Sequence, residues 1–299
     1  MTKYPEYSVL ISVYYKEQPE WFQDAIESIL NQTVPPSEIV LVEDGPLTDE
    51  LYKIVDKYAQ NPIFKIVPLE KNVGLGLALR EGLKQCKNDL IARMDTDDIA
   101  VPNRCEKQLK KFIEDSNLDI VGCWENEFWG NSINDAFSCH KVPEKHDEIV
   151  KFMRRRCALL HPTVIFKKTA VLKAGNYQHR PLFEDYDLFV RMLQTGSKCY
   201  NLQESLYSLR VNPNLFKRRG GFKYGLTQLK FKYEMYRSGF SSFLDFFISG
   251  LGHFCVCIMP NKGRSLFYKT ILRVFVSFYF IFAISHIFEE SLTNALYSI

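Results

Sequence analysis

The eight cysteines of this 299-residue chain lack the spacing that metal and redox sites use, since no two of them are separated by two residues. A zinc ribbon and a CxxC oxidoreductase are thereby excluded, and the thiols read as buried or incidental groups of a reduced protein. The opening Met-Thr-Lys-Tyr-Pro-Glu-Tyr lacks the apolar core of a secretory signal, so the chain is expected in the cytoplasm. Long apolar runs are also missing. Phe246 to Met259 and Val274 to Phe288 span 14 and 15 residues, short of the roughly 20 that a membrane-spanning helix needs. No internal repeat and no low-complexity tract occurs. The turn after the first apolar run, Tyr14-Tyr15-Lys16-Glu17-Gln18-Pro19, contains no glycine. That absence removes the dinucleotide fingerprint, although Asn72-Val73-Gly74-Leu75-Gly76 resembles part of one, and it argues against a nucleotidyltransferase, which wants a Gly-rich basic loop there.

What is present is 46% hydrophobic and 24% charged, enough for one large α/β domain with an appended module. The net charge of +3 conceals a gradient. Lys and Arg number 10 against 17 acidic residues in 1–100, 16 against 13 in 101–200, and 12 against 5 in 201–299. The last 99 residues also hold 21 of the aromatics. An acidic start and a basic, aromatic end predict different partners for the two ends.

Strand and helix alternate four times in the first hundred residues. Tyr7 to Tyr15 is uncharged and β-branched or aromatic, as a strand buried on both faces must be. Pro19 then opens an amphipathic helix through Trp21, Phe22, Ala25, Ile26, Ile29 and Leu30. Ile39 to Val42, Ile63 to Pro68 and Leu90 to Met94 read as further strands, with helices over Thr48 to Tyr58 and Leu75 to Cys86. A charged helix is expected from Pro102 to about Asp115, a strand over Ile120 to Trp124, irregular chain over 125–150, a strand over Leu159 to Phe166 and a helix from Glu184 to a stop at Gly196. The alternation predicts a mostly parallel, doubly wound sheet, whose ligands bind beyond the carboxyl ends of the strands.

Three of those ends carry carboxylates: Glu17, then Glu43 and Asp44, then Asp95, Asp97 and Asp98. Three acids in four residues repel one another and raise each other's pKa, so a cation among them is favoured. Carboxylates are hard ligands for Mg²⁺ or Mn²⁺, which take one or two of them and complete their shell with substrate phosphates. A helix cap would need one acid and not three.

The ordered set Ser8 to Tyr14, Ser28-Ile29-Leu30-Asn31-Gln32-Thr33, Val42-Glu43-Asp44-Gly45, Asn72-Val73-Gly74-Leu75, Met94-Asp95-Thr96-Asp97-Asp98, His161-Pro162-Thr163 and Glu184-Asp185-Tyr186-Asp187-Leu188 resembles the family 2 glycosyltransferases, inverting enzymes of the GT-A fold. Within that family the chain looks closest to bacterial enzymes that build O-antigen, capsule or exopolysaccharide on a lipid carrier. The resemblance implies that Asp44 faces the uracil of a UDP-sugar, that Ser12, Val13 and Tyr14 flank the base, and that Asp95 sits near the ribose. It implies that Asp97 reaches an Mn²⁺ or Mg²⁺ ion, with Asp98 as a further candidate, and that Asp185 is the base that deprotonates the acceptor. At a helix start the macrodipole favours the charged form of Asp185; Glu184 and Asp185 would otherwise be simple caps. Asp187 is read as structural. Glu184, His161, Arg218 and Arg219 are candidates for acceptor or phosphate contact, the arginines because guanidinium forks suit diphosphates. Leu160 and Arg80 stand where relatives often carry Asn.

Residues 1–215 are thus expected to form the catalytic GT-A domain and 216–299 a helical region that meets the membrane. Lys262, Arg264, Lys269 and Arg273 lie between the two apolar stretches, placed for anionic headgroups at the cytoplasmic face of a bacterial inner membrane. A helical subdomain that merely covers the sheet is the alternative. Nucleic-acid binding is excluded for want of a recognition motif. The expected reaction moves a hexose, galactose or glucose, from a UDP-sugar to a polyprenyl-diphosphate-linked N-acetylhexosamine with formation of a β-linkage. A non-catalytic nucleotide-sugar-binding protein is the competing reading, against which Asp185 weighs.

Overall fold

The computed structural model describes residues 3–130, 133–211 and 221–258. Arg218, Arg219, the cations from Lys262 to Arg273 and the second apolar stretch lie outside the described residues.

The N-terminal half follows the alternation. Strands β1 (Tyr7–Val13), β2 (Glu38–Glu43), β3 (Phe64–Pro68) and β4 (Leu90–Arg93) are joined by helices α1 (Pro19–Leu30), α2 (Asp49–Ala59) and α3 (Leu75–Gln85). They pair in parallel in the order β3-β2-β1-β4, with Val9 opposite Ile39 and Ala92. Every residue of β1, β2 and β4 is buried, which explains their lack of polar alternation. Alternate β1 residues serve two cores: Val9 and Ile11 pack with Phe22, Ile26 and Ile29 of α1, while Leu10 joins Val40, Val42, Leu79 and Leu83 on the other face. Gly82 lets α3 lie close to the sheet, since a Cβ there would come within 2.5 Å of Val42 and 2.6 Å of Leu10.

The second half is mixed rather than parallel. The further elements are β5 (Ile99–Ala100), α4 (Arg104–Glu114), β6 (Leu118–Phe128), β7 (Ala136–His140), α5 (His146–Met153), β8 (Ile165–Lys167), α6 (Lys168–Lys173), α7 (Glu184–Gln194) and β9 (Lys198–Arg210). The sheet continues β4-β8-β6-β9-β5, with β7 on β6; among the described residues of this half only the β6–β9 pairing is parallel. Two sequence expectations change here, and one strand was missed. Residues 125–150 are not irregular: β6 runs on to Phe128, and β7 and α5 follow. The strand expected over Leu159 to Phe166 is a 3₁₀ turn at His161–Thr163 and only then β8, since Pro162 has no N–H for a ladder. The long strand β9 was not anticipated, because its pairing with β6 involves residues about 80 positions away.

Past Gly221 the chain forms α8 (Phe222–Arg237), then α9 (Phe243–Phe246), a π turn (Phe247–Leu251) and α10 (Gly252–Ile258). Phe231 and Met235 of α8 join the core that holds α7. The N-cap residue of α7, Phe183, stacks on Phe231 at 4.9 Å between ring centroids.

Candidate active site

The polar residues collect where β1, β2 and β4 end, as an α/β sheet dictates. Ser12 and Val13 are buried at the end of β1, and Tyr14 follows half-buried. Asp44 comes directly after β2. Its two carboxylate oxygens accept the backbone N–H groups of Val73 at 2.7 Å and Gly74 at 3.1 Å, and its carbonyl accepts the Asn72 amide. Gly45 makes this junction possible: its φ is +84°, and a Cβ would lie 2.4 Å from the Asn72 nitrogen. Asp44 therefore anchors the turn that leads into α3.

The acids after β4 divide sharply by environment. Asp95 is 30% exposed and forms an ion pair with Arg93, which is fully buried beneath it. Its backbone N–H donates to the Tyr207 hydroxyl of β9 at 3.2 Å. Thr96 donates to Glu17 at 2.5 Å, bringing the β1 turn against the cluster. Burial, then the charges of Asp95 and Glu17, push Asp97 up to about 7. Asp98 is fully buried; burial first and the neighbouring acids second raise its pKa well above the carboxylate range. One of its oxygens accepts the Arg210 backbone N–H at 2.8 Å, and the other is buried without a hydrogen-bond partner among the described residues. Arg210, at the end of β9, also donates to the Asp97 carbonyl at 2.8 Å and lies over the rings of Phe128 and Trp21.

These donors fit a divalent cation. Burial first and mutual repulsion second hold protons on Asp97 and Asp98, and a hard cation replaces those protons with a better counter-charge. Among the described residues no three His, Cys, Asp or Glu side chains are gathered into a ready-made cage. The donor set on offer is one or two carboxylates plus a substrate diphosphate.

The opposite wall comes from α7. Leu182 precedes it with φ +76°, an unfavourable backbone for a branched residue, and turns the chain so that Glu184 and Asp185 open the helix. No side chain caps this end, while Asp185 accepts the N–H of Tyr186 at 2.7 Å. Burial and then the Asp185 charge raise Glu184 to about 7, with Asp95 adding to the effect. Asp95 and Asp185, 90 positions apart, thus act on one carboxyl. Glu184 also closes against α3, where a Cβ on Gly76 would lie 2.9 Å from its own. Gly74, Gly76, Gln178, Arg180, Leu182 and Glu184 border a cleft of about 210 Å³. Asp187 is buried and paired with Arg191 at 2.7 Å, a structural task.

His161 is buried under the site, 2.9 Å from the Tyr177 hydroxyl and edge-on to Phe189. Burial and the nearby Arg93 charge push its pKa well below the usual range, so it is neutral. The sequence reading assigned no role to Arg93, Tyr207 or Arg210. Arg93 was legible in principle, as the last residue of β4 and two positions before Asp95; Tyr207 and Arg210 carried no local signal.

The glycosyl transferase family 2 model matches residues 8–172. The chain is 36% identical over 272 residues to the UDP-Gal:alpha-D-GlcNAc-diphosphoundecaprenol beta-1,3-galactosyltransferase of Escherichia coli, covering 91% of this chain and 98% of that protein. It is 35% identical over 267 residues to the amylovoran biosynthesis glycosyltransferase AmsE of Erwinia amylovora, covering 88% and 98%. Among solved structures, S. aureus TarS 1-349 in complex with UDP-GlcNAc superposes with a TM-score of 0.62 at 17% identity, over 89% of this chain and 76% of that one. The mannosyltransferase PcManGT of Pyrobaculum calidifontis, in complex with GDP-Man and Mn²⁺, superposes at 0.56 with 15% identity, over 80% and 65%. With the GT-A-like fold, the acidic cluster and Glu184-Asp185 in place, the chain belongs to glycosyl transferase family 2.

Proposed function

We propose that this enzyme transfers galactose from UDP-galactose to a hydroxyl of an N-acetylhexosamine carried on polyprenyl diphosphate, with inversion to a β-linkage, during assembly of a bacterial surface polysaccharide. The convergence of Asp95 and Asp185 on Glu184 carries the reading, because it brings donor-side and base-side carboxylates within electrostatic reach of one group, which itself borders the cleft beside α3. The name of the Escherichia coli relative supports the choice of sugar and carrier. The Asp185 carboxylate takes the proton of the acceptor hydroxyl as its oxygen bonds to the anomeric carbon, and UDP departs with the electron pair of the broken bond. Asp97, with Asp95 beside it, would hold Mn²⁺ or Mg²⁺ on the diphosphate; when bound, the ion offsets the charge that grows on the leaving group. Purified protein with Mn²⁺, a lipid-diphosphate N-acetylglucosamine and each common UDP-sugar in turn tests this reading. Acceptor-dependent UDP release is expected with UDP-galactose above the others. No release with any donor would sink it.

The acceptor lipid places the enzyme at a membrane surface. Among the described residues no helix is long and apolar enough to cross a bilayer. Phe243, Leu244, Phe247, Ile248 and Leu251 instead form an exposed stripe at helical spacing, with Phe243 62% and Phe247 53% exposed. Such a face suits peripheral insertion at the headgroup boundary. Substituting both Phe243→Ser and Phe247→Ser is expected to leave folding intact and to reduce cosedimentation with anionic vesicles. Unchanged cosedimentation would remove this stripe from the contact.

A further inference from the structure

Lys232 of α8 is an unusual core residue. It is 1% exposed, and its ammonium lies 2.8 Å from the Tyr186 hydroxyl, 3.0 Å from the carbonyl of Arg155 and 4.4 Å from the centroid of the Tyr186 ring. The Tyr186 hydroxyl in turn donates to the Met153 carbonyl at 2.5 Å. Tyr186 is the residue after Asp185, and its N–H is the one that the Asp185 carboxylate accepts. One amine therefore joins α8, the end of α5 and the first turn of α7.

This arrangement is costly to fold. Burial pushes the Lys232 pKa down to about 7, against the opposing pull of Cys157 and of Asp245, which faces it from α9 and is paired with Arg155 at 2.6 Å. An unfolded lysine keeps its proton up to about 10.5. The native state binds fewer protons than the unfolded state between these values, so the penalty is full below pH 7 and fades as pH rises toward 10.5. A methionine would fill the same channel without that penalty. What lysine adds to a hydrocarbon is directed hydrogen bonding to a hydroxyl one residue from Asp185.

We propose that Lys232 is a positioning residue for the transfer step: through the Tyr186 hydroxyl it fixes the first turn of α7, and with it the Asp185 carboxylate, so that the C-terminal helices set the base. This rests on the reading of Asp185 as that base. A misplacement of about 1 Å at a reacting group costs on the order of 10²-fold in rate, which sets the scale of the effect.

The test uses the full-length chain with UDP-galactose, Mn²⁺ and a short-chain, water-soluble lipid-diphosphate acceptor, so that membrane contact does not limit turnover. Lys232→Met is expected to lower kcat on the order of 10²-fold, with KM for the donor unchanged and a melting temperature at pH 6 no lower than that of the parent. Tyr186→Phe, which keeps the ring, is expected to lower kcat similarly, and the double variant to be no worse than the more damaging single one. Parent-like kcat in Tyr186→Phe would overturn the proposal, whether or not the lysine variant folds. A loss of kcat in Lys232→Met that is matched by a fall in melting temperature would overturn it as well. Asp185→Asn measured alongside separates the two readings: if it keeps turnover the base assignment fails, whereas if it is inactive while both other variants turn over normally only the present inference fails.

Discussion

Asp185→Asn is expected to lower kcat by about 10³-fold or more, within the range that a general base contributes, while UDP binding is retained. The substitution is nearly isosteric, and the amide oxygen can still accept the Tyr186 N–H that the carboxylate accepts at 2.7 Å. What disappears is the capacity to take a proton. A second signature follows from Glu184, whose pKa is raised to about 7 by burial first and by the Asp185 charge second. Removing that charge lowers the Glu184 pKa, so Glu184 ionises at a lower pH in the variant. Acceptor-dependent UDP release measures the first effect, and a carboxyl titration followed by NMR measures the second. Retained turnover would take Asp185 out of the base role.

Asp97→Asn is expected to cost about 10²- to 10³-fold in kcat/KM, the loss typical of removing one charge-stabilising contact, and to weaken Mn²⁺ binding. In the parent, Asp97 titrates near 7 because it is buried among Asp95 and Glu17. A cation needs the deprotonated form, so metal affinity should fall as pH drops below 7, by up to about tenfold per unit. The stability consequence has the opposite direction. The folded pKa lies above the ordinary 3.8, so this carboxyl's contribution is intact below about pH 4 and is lost as pH rises through 7. With metal chelated, Asp97→Asn should therefore melt higher than the parent at pH 8 and no higher at pH 4, while remaining nearly inactive with metal restored. An activity equal to the parent's, or a metal affinity insensitive to the substitution, would remove Asp97 from the metal site. Thermal melts in chelator and in Mn²⁺ at the two pH values read the stability and metal-binding effects, and acceptor-dependent UDP release reads the loss of activity.

Much of the donor side was legible before any coordinates. Four apolar runs separated by amphipathic helices dictate a parallel sheet, and a parallel sheet dictates where its ligands bind. Asp44, Asp95, Asp97 and Asp98 are consecutive with their strands, so local reading was enough to find them. The second half of the sheet was less legible. The apolar centre of β6 was read as the strand Ile120 to Trp124, but its extension to Phe128 and the whole of β9 are built partly from polar residues and were not, because a strand on a mixed, half-polar sheet carries a weak local pattern.

What the sequence determined alone was the class of each group and its place along the chain: carboxylates at strand ends, an acidic helix start, a basic and aromatic tail. The tertiary structure decided what those groups are like. Asp95, Asp97 and Asp98 lie within four residues, yet Asp95 is ion-paired with Arg93 and partly exposed, Asp97 titrates near 7, and Asp98 is fully buried against the Arg210 backbone from 112 positions away. Lys232 reads in the sequence as one more cation of a basic segment, and in the fold it is a buried amine of α8 bonded to the Tyr186 hydroxyl of α7, the helix that carries Asp185. The reason is physical. Covalent neighbours are set by the chain, but burial and the approach of distant charges set a group's pKa and its partners, and neither exists until the elements have packed.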